Sequence, residues 1–492
     1  MVQDKMLLAF DVGTTAVKGA IYTAGGQCLF STGIAYGKRS SQPGWVEQNP
    51  QDWMDCMTDV IAQIAQQFDL ESIVGIGICS QVNTHIFVDE HGQALMDAIV
   101  WDDQRCAEVT EELNHCIEQC VKREQDEKIG LLDSSSLISR AQWVQYYNPE
   151  VWQQTRWILS PKDYCILQLT GERVTDALSS VGLVAESGGY LKQALALVAG
   201  LEQRLPPIKS IHQIAGHLKE GWCGIKIGCP VVVGTMDCWA SLFGSGAFSH
   251  GQGFQLAGTS EILGLVSEQA HPASGVVTFP AYQGLYLHAG PTQAGGDALD
   301  WFARGLDKDV NQLLLEVAAR EPIKDPLLFL PYLMGERAPI WDPKARGAFI
   351  GLTKNHDSHS MVRAVMQGVG FSARHLMEHL EQAAGFSCDT LVISGGASRS
   401  DLWCQIKADI MNRTLDRVEN VDTGTFGAAL LAATGVGIYS SLQEAVTKGV
   451  VINRSFHPQS TTRDRNDALY RSYRESYQQL KPVFDSLYKI MS

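Results

Sequence analysis

The stretch LLAFDVGTTAVKGAIY, residues 7–22, holds two apolar runs split by Asp11, Val12, Gly13, Thr14 and Thr15. Residues 6–10 and 16–22 have strand length, and the polar insert reads as the turn between them. A Gly-Thr-Thr turn gathers backbone N–H groups and two hydroxyls at one point, a concavity that suits phosphate oxygens. Asp11, at the strand end, is placed to hold a magnesium ion through water, since this ion keeps much of its hydration shell. Lys18 adds a positive charge. A plain hairpin accounts for the stretch equally well, because hairpin turns favour the same residue types.

Working outward, Ala24, Gly25 and Gly26 mark a second turn and residues 27–36 continue as strand, which predicts a three-strand meander. Asn49-Pro50 predicts a helix start, an N-cap residue followed by proline in the first turn. Trp53, Met57, Val60, Ile61, Ile64 and Phe68 follow at helical spacing, and residues 73–79 predict the next strand. Such alternation points to an α/β domain. In the middle of the chain PVVVGTMD, residues 230–237, reads as an apolar strand ending in an acid. GSGAFSHGQG, residues 244–253, reads as a hinge. FQLAGTSEILGLV, residues 254–266, then echoes the opening stretch, with Thr259 placed 245 positions after Thr14. Two similar halves facing each other is one reading of that echo, and a chance match is the other. Met361, Val362, Val365, Val369 and Leu376 predict a long helix ending near Gly385. Residues 391–400, LVISGGASRS, predict strand, glycine turn and helix, and the last thirty residues predict a helix.

A second turn at Gly258, Thr259 and Ser260 changes the weight of the first, since two such turns can grip a polyphosphate from both sides. Gly395 and Gly396 would let a flat base approach the backbone closely, though a strand-to-helix turn wants glycine anyway. Asp237 follows an apolar run. An ionised carboxylate there can accept the proton of an attacking hydroxyl, or it can cap the helix that begins with CWASLF. WDDQR, residues 101–105, groups an indole face, two acids and an arginine. That set suits a polyol, and it equally suits a capped helix start with a surface ion pair. There is no GxxxxGK[ST] loop. A GxGxxA at Gly368, Gly370 and Ala373 lies inside a helical pattern rather than after a strand, so it is not a dinucleotide fingerprint.

At 492 residues the chain suggests two or more domains, and 45% hydrophobic with 19% charged residues is an ordinary globular balance. A net charge of −15 disfavours a general nucleic-acid or anionic-membrane binder. No apolar run approaches the ~18 residues that span a bilayer. The opening MVQDKMLLAFD reaches an acid too soon for a signal peptide. The 12 cysteines form no CxxC pair, and Cys79 and Cys165 sit in apolar runs. The expectation is a soluble cytoplasmic protein with reduced thiols.

Together these stretches resemble the FGGY carbohydrate kinases, the group that includes xylulokinase, glycerol kinase and L-fuculokinase. The likeness runs from Leu7 to Tyr439. It is carried by DVGTTAVK, AIVWDDQR, GTMDCWASLFGSG, LAGTSE, PYLMGERAPIWDPKARGAFIGL, SGGASRSDLWCQIKADI and ENVDTGTFGAALLA in that order. The resemblance implies an α/β chain of two actin-like (ribonuclease H-like) ATPase domains with an interdomain cleft. They would be residues 1–245 on the sugar and phosphate side and 246–492 on the nucleotide side. It implies Asp237 as catalytic base, and Asp11 and Asp237 as the carboxylates beside Mg2+. For ATP it implies Gly13, Thr14, Thr15, Lys18, Gly258, Thr259, Gly296, Gly395, Gly396 and Ser398. For the sugar it implies Gln81, Asn83, Trp101, Asp103 and Arg105, with Asp237. The implied partners are ATP and a small sugar, with no nucleic acid and no membrane, and relatives of this kind often form homodimers.

The departures fall at the sugar site. Xylulokinases carry GQMHG where this chain has SQVNT, residues 80–84, so Asn83 replaces their histidine. Glycerol kinases carry an Arg-Glu pair at Val82 and Asn83, which disfavours glycerol. Cys238 stands where many relatives place Asn or Gln, and a thiol is a poor hydrogen-bonding substitute. His85, near an apolar strand, reads first as a packed residue. The expected activity is ATP-dependent phosphorylation of a ketopentose such as xylulose. Another polyol, a deoxyketose or an aldonate are the alternative acceptors. A non-kinase actin-like ATPase and a silent sugar sensor are the alternatives of other classes.

Overall fold

Leu7, Leu8, Ala9 and Phe10 are all buried, so strand Met6–Val12 has apolar side chains on both faces, as a central strand requires. The computed structural model describes residues 5–121, 130–185 and 188–491. The chain divides into two compact units.

In the first unit Met6–Val12 pairs antiparallel with Ala16–Thr23, which pairs antiparallel with Cys28–Ala35. This is the expected meander. On its other edge Met6–Val12 runs parallel to Ile73–Ser80, with Asp11 level with Cys79 and Val12 with Ser80. Pro230–Val232 and Thr235–Met236 both pair parallel with Ile73–Ser80, and Ile214–His217 closes the sheet. The expected single strand through residues 230–237 is therefore two short ones. Gly234 breaks the run at φ +69, where a Cβ would lie 1.9 Å from the Ile78 carbonyl oxygen. Helix Pro50–Ile64 begins as the Asn-Pro pair predicts, with the Asn49 side chain accepting from the Gln51 N–H at 3.1 Å. It buries Trp53, Met57, Val60, Ile61 and Ile64. Each such side chain contributes roughly 1.5–3 kcal/mol, so packing rather than helix propensity holds the helix. Phe68, expected on the same helix, lies past its end.

The second unit repeats the pattern. Gly253–Ala257 and Glu261–Ser267 form an antiparallel hairpin, and Gly253–Ala257 runs parallel to Thr390–Ser394 on its other edge. Leu285–Pro291 and Val277–Tyr282 extend the sheet on one side, Thr414–Val418 and Ile452–Phe456 on the other. Helix Ser358–Ala384 starts on a capping box between Asp357 and Ser360 and stops at Gly385, which takes φ +78. It contains the rejected GxGxxA, and a Cβ at Gly368 would lie 2.4 Å from the Phe329 carbonyl oxygen. These glycines allow helix packing.

The compact units are not two simple halves of the chain. The first crossing does fall at Gly244/Ser245, but Thr423–Val450 returns to the first unit. The reason is packing. Helix Thr423–Gly435 is buried along nearly its whole length and lies on strand Ile73–Ser80. A Cβ on Gly77 would meet the Ala428 carbonyl oxygen at 2.0 Å. Among the described residues no helix is long and apolar enough to cross a membrane. The described cysteines form no disulfide, with Cys79 and Cys165 buried and Cys116 and Cys223 exposed.

Candidate active site

The first unit's sheet brings several sequence-named residues to the carboxyl ends of its parallel strands, the usual ligand side of an α/β sheet. Asp11 and Thr235 are both level with Cys79, one on each side of strand Ile73–Ser80. Asp237 follows two residues after Thr235 as the first residue of helix Asp237–Ser245. Its Oδ1 accepts the Cys238 N–H at 2.7 Å. Burial, and then the negative charge of Asp11, push the Asp237 carboxyl from 3.8 up to about 7, against the pull of that N–H. Cys238 is buried beside it, and burial with the Asp237 charge raises its thiol far above the usual range. Gly424, in the first turn of helix Thr423–Gly435, faces Asp11, since a Cβ there would lie 2.8 Å from Asp11 Oδ2. A helix N-terminus favours that carboxylate.

The Gly-Thr-Thr turn is tied down from several sides. The Gly13 N–H donates to the Ala16 carbonyl at 3.1 Å, and the Tyr36 hydroxyl donates to the Gly13 carbonyl. Gln48 Nε2 donates to the Thr14 carbonyl at 2.7 Å and Trp101 Nε1 to Thr14 Oγ1 at 3.0 Å. Gln81 Nε2 donates to Gln48 Oε1 at 2.8 Å, and the Gln81 N–H to the Val12 carbonyl at 3.0 Å. Thr14, Gln81 and Trp101 thus belong to one network. Gln81 Oε1 is buried with no partner among the described residues. Thr15 and Lys18 are exposed at the same turn. Gln48 was missed from sequence; its signal was a glutamine beside the Asn-Pro helix start.

Asp103 and Arg105 behave differently. Arg105 Nε and Nη2 bond both Asp103 oxygens at 2.8–3.0 Å, and Nη2 also pairs with Glu47 at 2.9 Å. The guanidinium stacks 3.8 Å from the Trp45 ring centroid. The Asp103 side chain also accepts the Val46 N–H. The pair offered to a polyol is therefore largely engaged internally, and among the described residues Arg105 Nη1 alone of its nitrogens lacks a partner. Asn83 takes φ +54, which asparagine tolerates, and its Nδ2 donates to Ser135 Oγ at 2.9 Å. His85 is buried and, through burial and the Arg140 charge, held neutral, the packed residue the sequence suggests.

A buried charge cluster supports the Asp237 strand. Lys162 Nζ, fully buried, lies 2.5 Å from Asp163 Oδ1 and 2.8 Å from Asp176 Oδ2. Asp176 Oδ1 accepts the Thr235 hydroxyl at 2.9 Å, and the Lys162 N–H donates to Ser80 Oγ at 3.2 Å. This group also escaped the sequence reading. Its signal was Lys162-Asp163 inside the apolar run WILSPKDYCILQL.

In the second unit the Gly-Thr-Ser turn closes with the Gly258 N–H donating to the Ser260 carbonyl at 3.0 Å. Helix Gly296–Gly305 starts against it. The Gly296 N–H donates to the Gly258 carbonyl at 2.8 Å and the Asp297 N–H to the Thr259 carbonyl at 3.1 Å. Gly295 was not singled out from sequence, yet a Cβ there would lie 2.6 Å from the Thr259 carbonyl oxygen. Gly395, at φ +86, has no room for a Cβ beside the Ala257 carbonyl at 2.5 Å, and Ser398 Oγ donates to the Gly395 carbonyl at 2.7 Å. Gly396 looks onto open space. So Gly258, Thr259, Gly296, Gly395 and Ser398 gather at the carboxyl ends of Gly253–Ala257 and Thr390–Ser394. Beneath the turn Glu261 is buried, paired with Lys407 and accepting from Gln255 Nε2 at 2.8 Å. Glu336, also missed, accepts the Gln293 and Arg337 N–H groups, and Arg337 Nη2 donates to the Thr292 carbonyl at 2.7 Å. The GER motif thereby holds the segment leading into Gly295.

Among the described residues no group of three or more His, Cys, Asp or Glu is arranged to hold a metal. Asp11 and Asp237, two neighbouring carboxylates whose charges repel, nonetheless fit magnesium. That ion is bound by one or two carboxylates and keeps several waters.

Profiles of the N-terminal and C-terminal domains of the FGGY family of carbohydrate kinases match residues 6–244 and 254–436. A xylulose kinase of Bacillus subtilis is 29% identical, over 98% of this chain and 99% of its own. A glycerol kinase of Citrifermentans bemidjiense is 28% identical, over 95% and 97%. The crystal structure of a gluconate kinase from Lactobacillus acidophilus is 25% identical, covers 98% of this chain and all of its own, and superposes with a TM-score of 0.84.

Proposed function

Because this chain belongs to the FGGY family of carbohydrate kinases, and so is a phosphotransferase with an alcohol acceptor, we propose that it phosphorylates a ketopentose, with xylulose the first candidate, at the expense of ATP. The observation that carries the reading is that Asp11, which runs into the Gly-Thr-Thr turn, and Asp237, which follows strand Thr235–Met236, lie at the carboxyl ends of the two strands flanking Ile73–Ser80. In the proposed reaction a substrate hydroxyl oxygen forms a bond to the γ-phosphorus as the bond to the bridging oxygen breaks and ADP leaves. The hydroxyl proton passes to the Asp237 carboxylate. A base with a pKa near 7 is matched to that task at neutral pH. Thr14, Thr15 and the N–H groups of their turn orient phosphate oxygens, as do Thr259 and its turn. Gly395, Gly396 and Ser398 take the adenosine side. A magnesium ion held through water by Asp11 and Asp237 would neutralise phosphate charge. Gln81, Asn83 and Trp101 line the sugar side, where Gln81 Oε1 is an open acceptor for a sugar hydroxyl. Largely buried cysteines that form no disulfide among the described residues suit a reducing cytoplasm.

An aldonate is the second reading. It is favoured by the unpartnered Arg105 Nη1, a cationic donor that a carboxylate would satisfy. The test is ADP release across ketopentoses, their reduced polyols, deoxyhexuloses and aldonic acids. Xylulose should give the highest kcat/KM. Preference for an aldonate selects the second reading, and ATP turnover indifferent to every sugar refutes both.

A further inference from the structure

The second unit contains a cavity of about 250 Å3 that shares no residue with the candidate active site. It is bordered by the start of helix Ser358–Ala384, by helix Asp401–Met411 and by the start of helix Arg463–Met491. Ile406, Ile410 and Leu469 give it an apolar floor.

Its polar lining is divided by what each group already bonds. The acids are mostly engaged. Asp357 pairs with Arg320 at 3.1 Å, and Asp325 accepts from Thr353 and Asn355 at 3.1 and 2.8 Å. Asp409 accepts from Gln405 and the Gln459 N–H at 2.9 and 2.8 Å. Arg465 is turned to the Lys324 carbonyl. His359 pairs with Glu316 at 3.0 Å, but four other groups of the lining are not engaged in this way. Asn466 is only 6% exposed, yet its amide has no partner among the described residues. His356 Nδ1 accepts the Thr353 N–H at 2.8 Å, which leaves the proton on Nε2, and that nitrogen is buried with no partner. Arg363 and Gln367, one turn apart on a single helix face, likewise make no side-chain hydrogen bond among the described residues. Glu321 is close enough to favour the Arg363 charge but is exposed and does not bond it. Of the four, His356 Nε2 is the buried donor with no partner, and such a donor costs free energy; Arg363, Gln367 and Asn466 line the same cavity with their hydrogen-bonding groups unused, so an acceptor placed there would meet all of them.

We propose that this cavity is a second ligand site, taking a small molecule that carries a carboxylate or phosphate group on an apolar body. Arg363 supplies the charge, Asn466, Gln367 and His356 Nε2 the hydrogen bonds, and Ile406 and Ile410 the packing surface.

Benzoate and phenyl phosphate, titrated calorimetrically into the full-length enzyme, separate the carboxylate and phosphate forms of the ligand. At least one should bind with one-to-one stoichiometry. Arg363→Met should weaken it roughly ten-fold or more, the size of a lost charge-assisted hydrogen bond, with kinase kcat and KM in the absence of probe unchanged. Asn466→Leu should weaken it less, and it supplies the comparison if melting shows Arg363→Met to be unfolded. The proposal is overturned if neither probe binds. It is equally overturned if binding survives both substitutions, which would place the anion elsewhere.

Discussion

Replacing Asp237 with Asn removes one negative charge from beside Asp11 while keeping the oxygen that accepts the Cys238 N–H. In the folded chain this carboxyl titrates at about 7 instead of 3.8. An acid whose folded pKa is raised destabilises the fold once it must ionise. The cost is absent below about pH 3, grows as pH rises from 3.8 towards 7, and is constant above that range. The difference, 7 minus 3.8, is about 3 units, which at ~1.36 kcal/mol per unit gives about 4 kcal/mol. Asp237 keeps some contact with solvent, so this is an upper bound and roughly 2–4 kcal/mol is expected. With about 2–4 °C per kcal/mol for a body of this size, Asp237→Asn should melt roughly 4–16 °C above the parent at pH 8.5 and level with it at pH 3. The assay is scanning calorimetry of both proteins from pH 3 to 8.5, with chelator and without nucleotide. A gap that does not change with pH, or one of opposite sign, refutes the electrostatic reasoning. In the kinetic assay the same variant should lose sugar-dependent ADP release, and parent kcat should decline as pH falls through about 7. Near-normal turnover by folded Asp237→Asn would falsify its role as base.

Thr235→Val removes the hydroxyl that ties the Asp237 strand to Asp176, and it should lower kcat about ten-fold with the KM for ATP unmoved, while Thr235→Ser restores it; an unchanged kcat would make the contact purely structural. Lys407→Met leaves Glu261 buried without its cation and should cost about 3–5 kcal/mol in urea unfolding, most of it regained in the double variant with Glu261→Gln. Gly77→Ala drives a methyl into the Ala428 carbonyl and should destabilise the first unit by about 1–3 kcal/mol or more. Gly396→Ala meets nothing in the structure, so its melting should match the parent while the KM for ATP rises; an unaltered KM would remove Gly396 from the nucleotide site.

Residue type and spacing were enough to read the meander, the Asn-Pro helix start, the two hydroxyl-bearing turns and the long helix ended by Gly385. All of these depend on neighbours a few positions apart. The break at Gly234 was not legible, because the conflict that forces it is with the Ile78 carbonyl on another strand. Nor was the return of residues 423–450 to the first unit, which follows from helix Thr423–Gly435 lying on Gly77. Asp103 and Arg105 were legible as a polar constellation but not as a mutual fork, since Trp45 and Glu47, which hold the guanidinium, come from a distant segment.

By itself, then, the sequence determined which residue types stand where a strand ends and a turn begins: Asp11 with Gly13, Thr14 and Thr15, Gly258 with Thr259, and Asp237 after Thr235. Local sterics and hydrogen-bonding valence settle that much within a few residues of chain. Tertiary structure decided what those groups can do. Parallel pairing on strand Ile73–Ser80 brings Asp11 near Asp237, and burial with that neighbour's charge raises the Asp237 carboxyl to about 7. The Lys162 cluster and Gln48 then hold the surrounding strands and turn in place. Desolvation and Coulomb repulsion depend on distance through space, and no spacing along the chain encodes that distance.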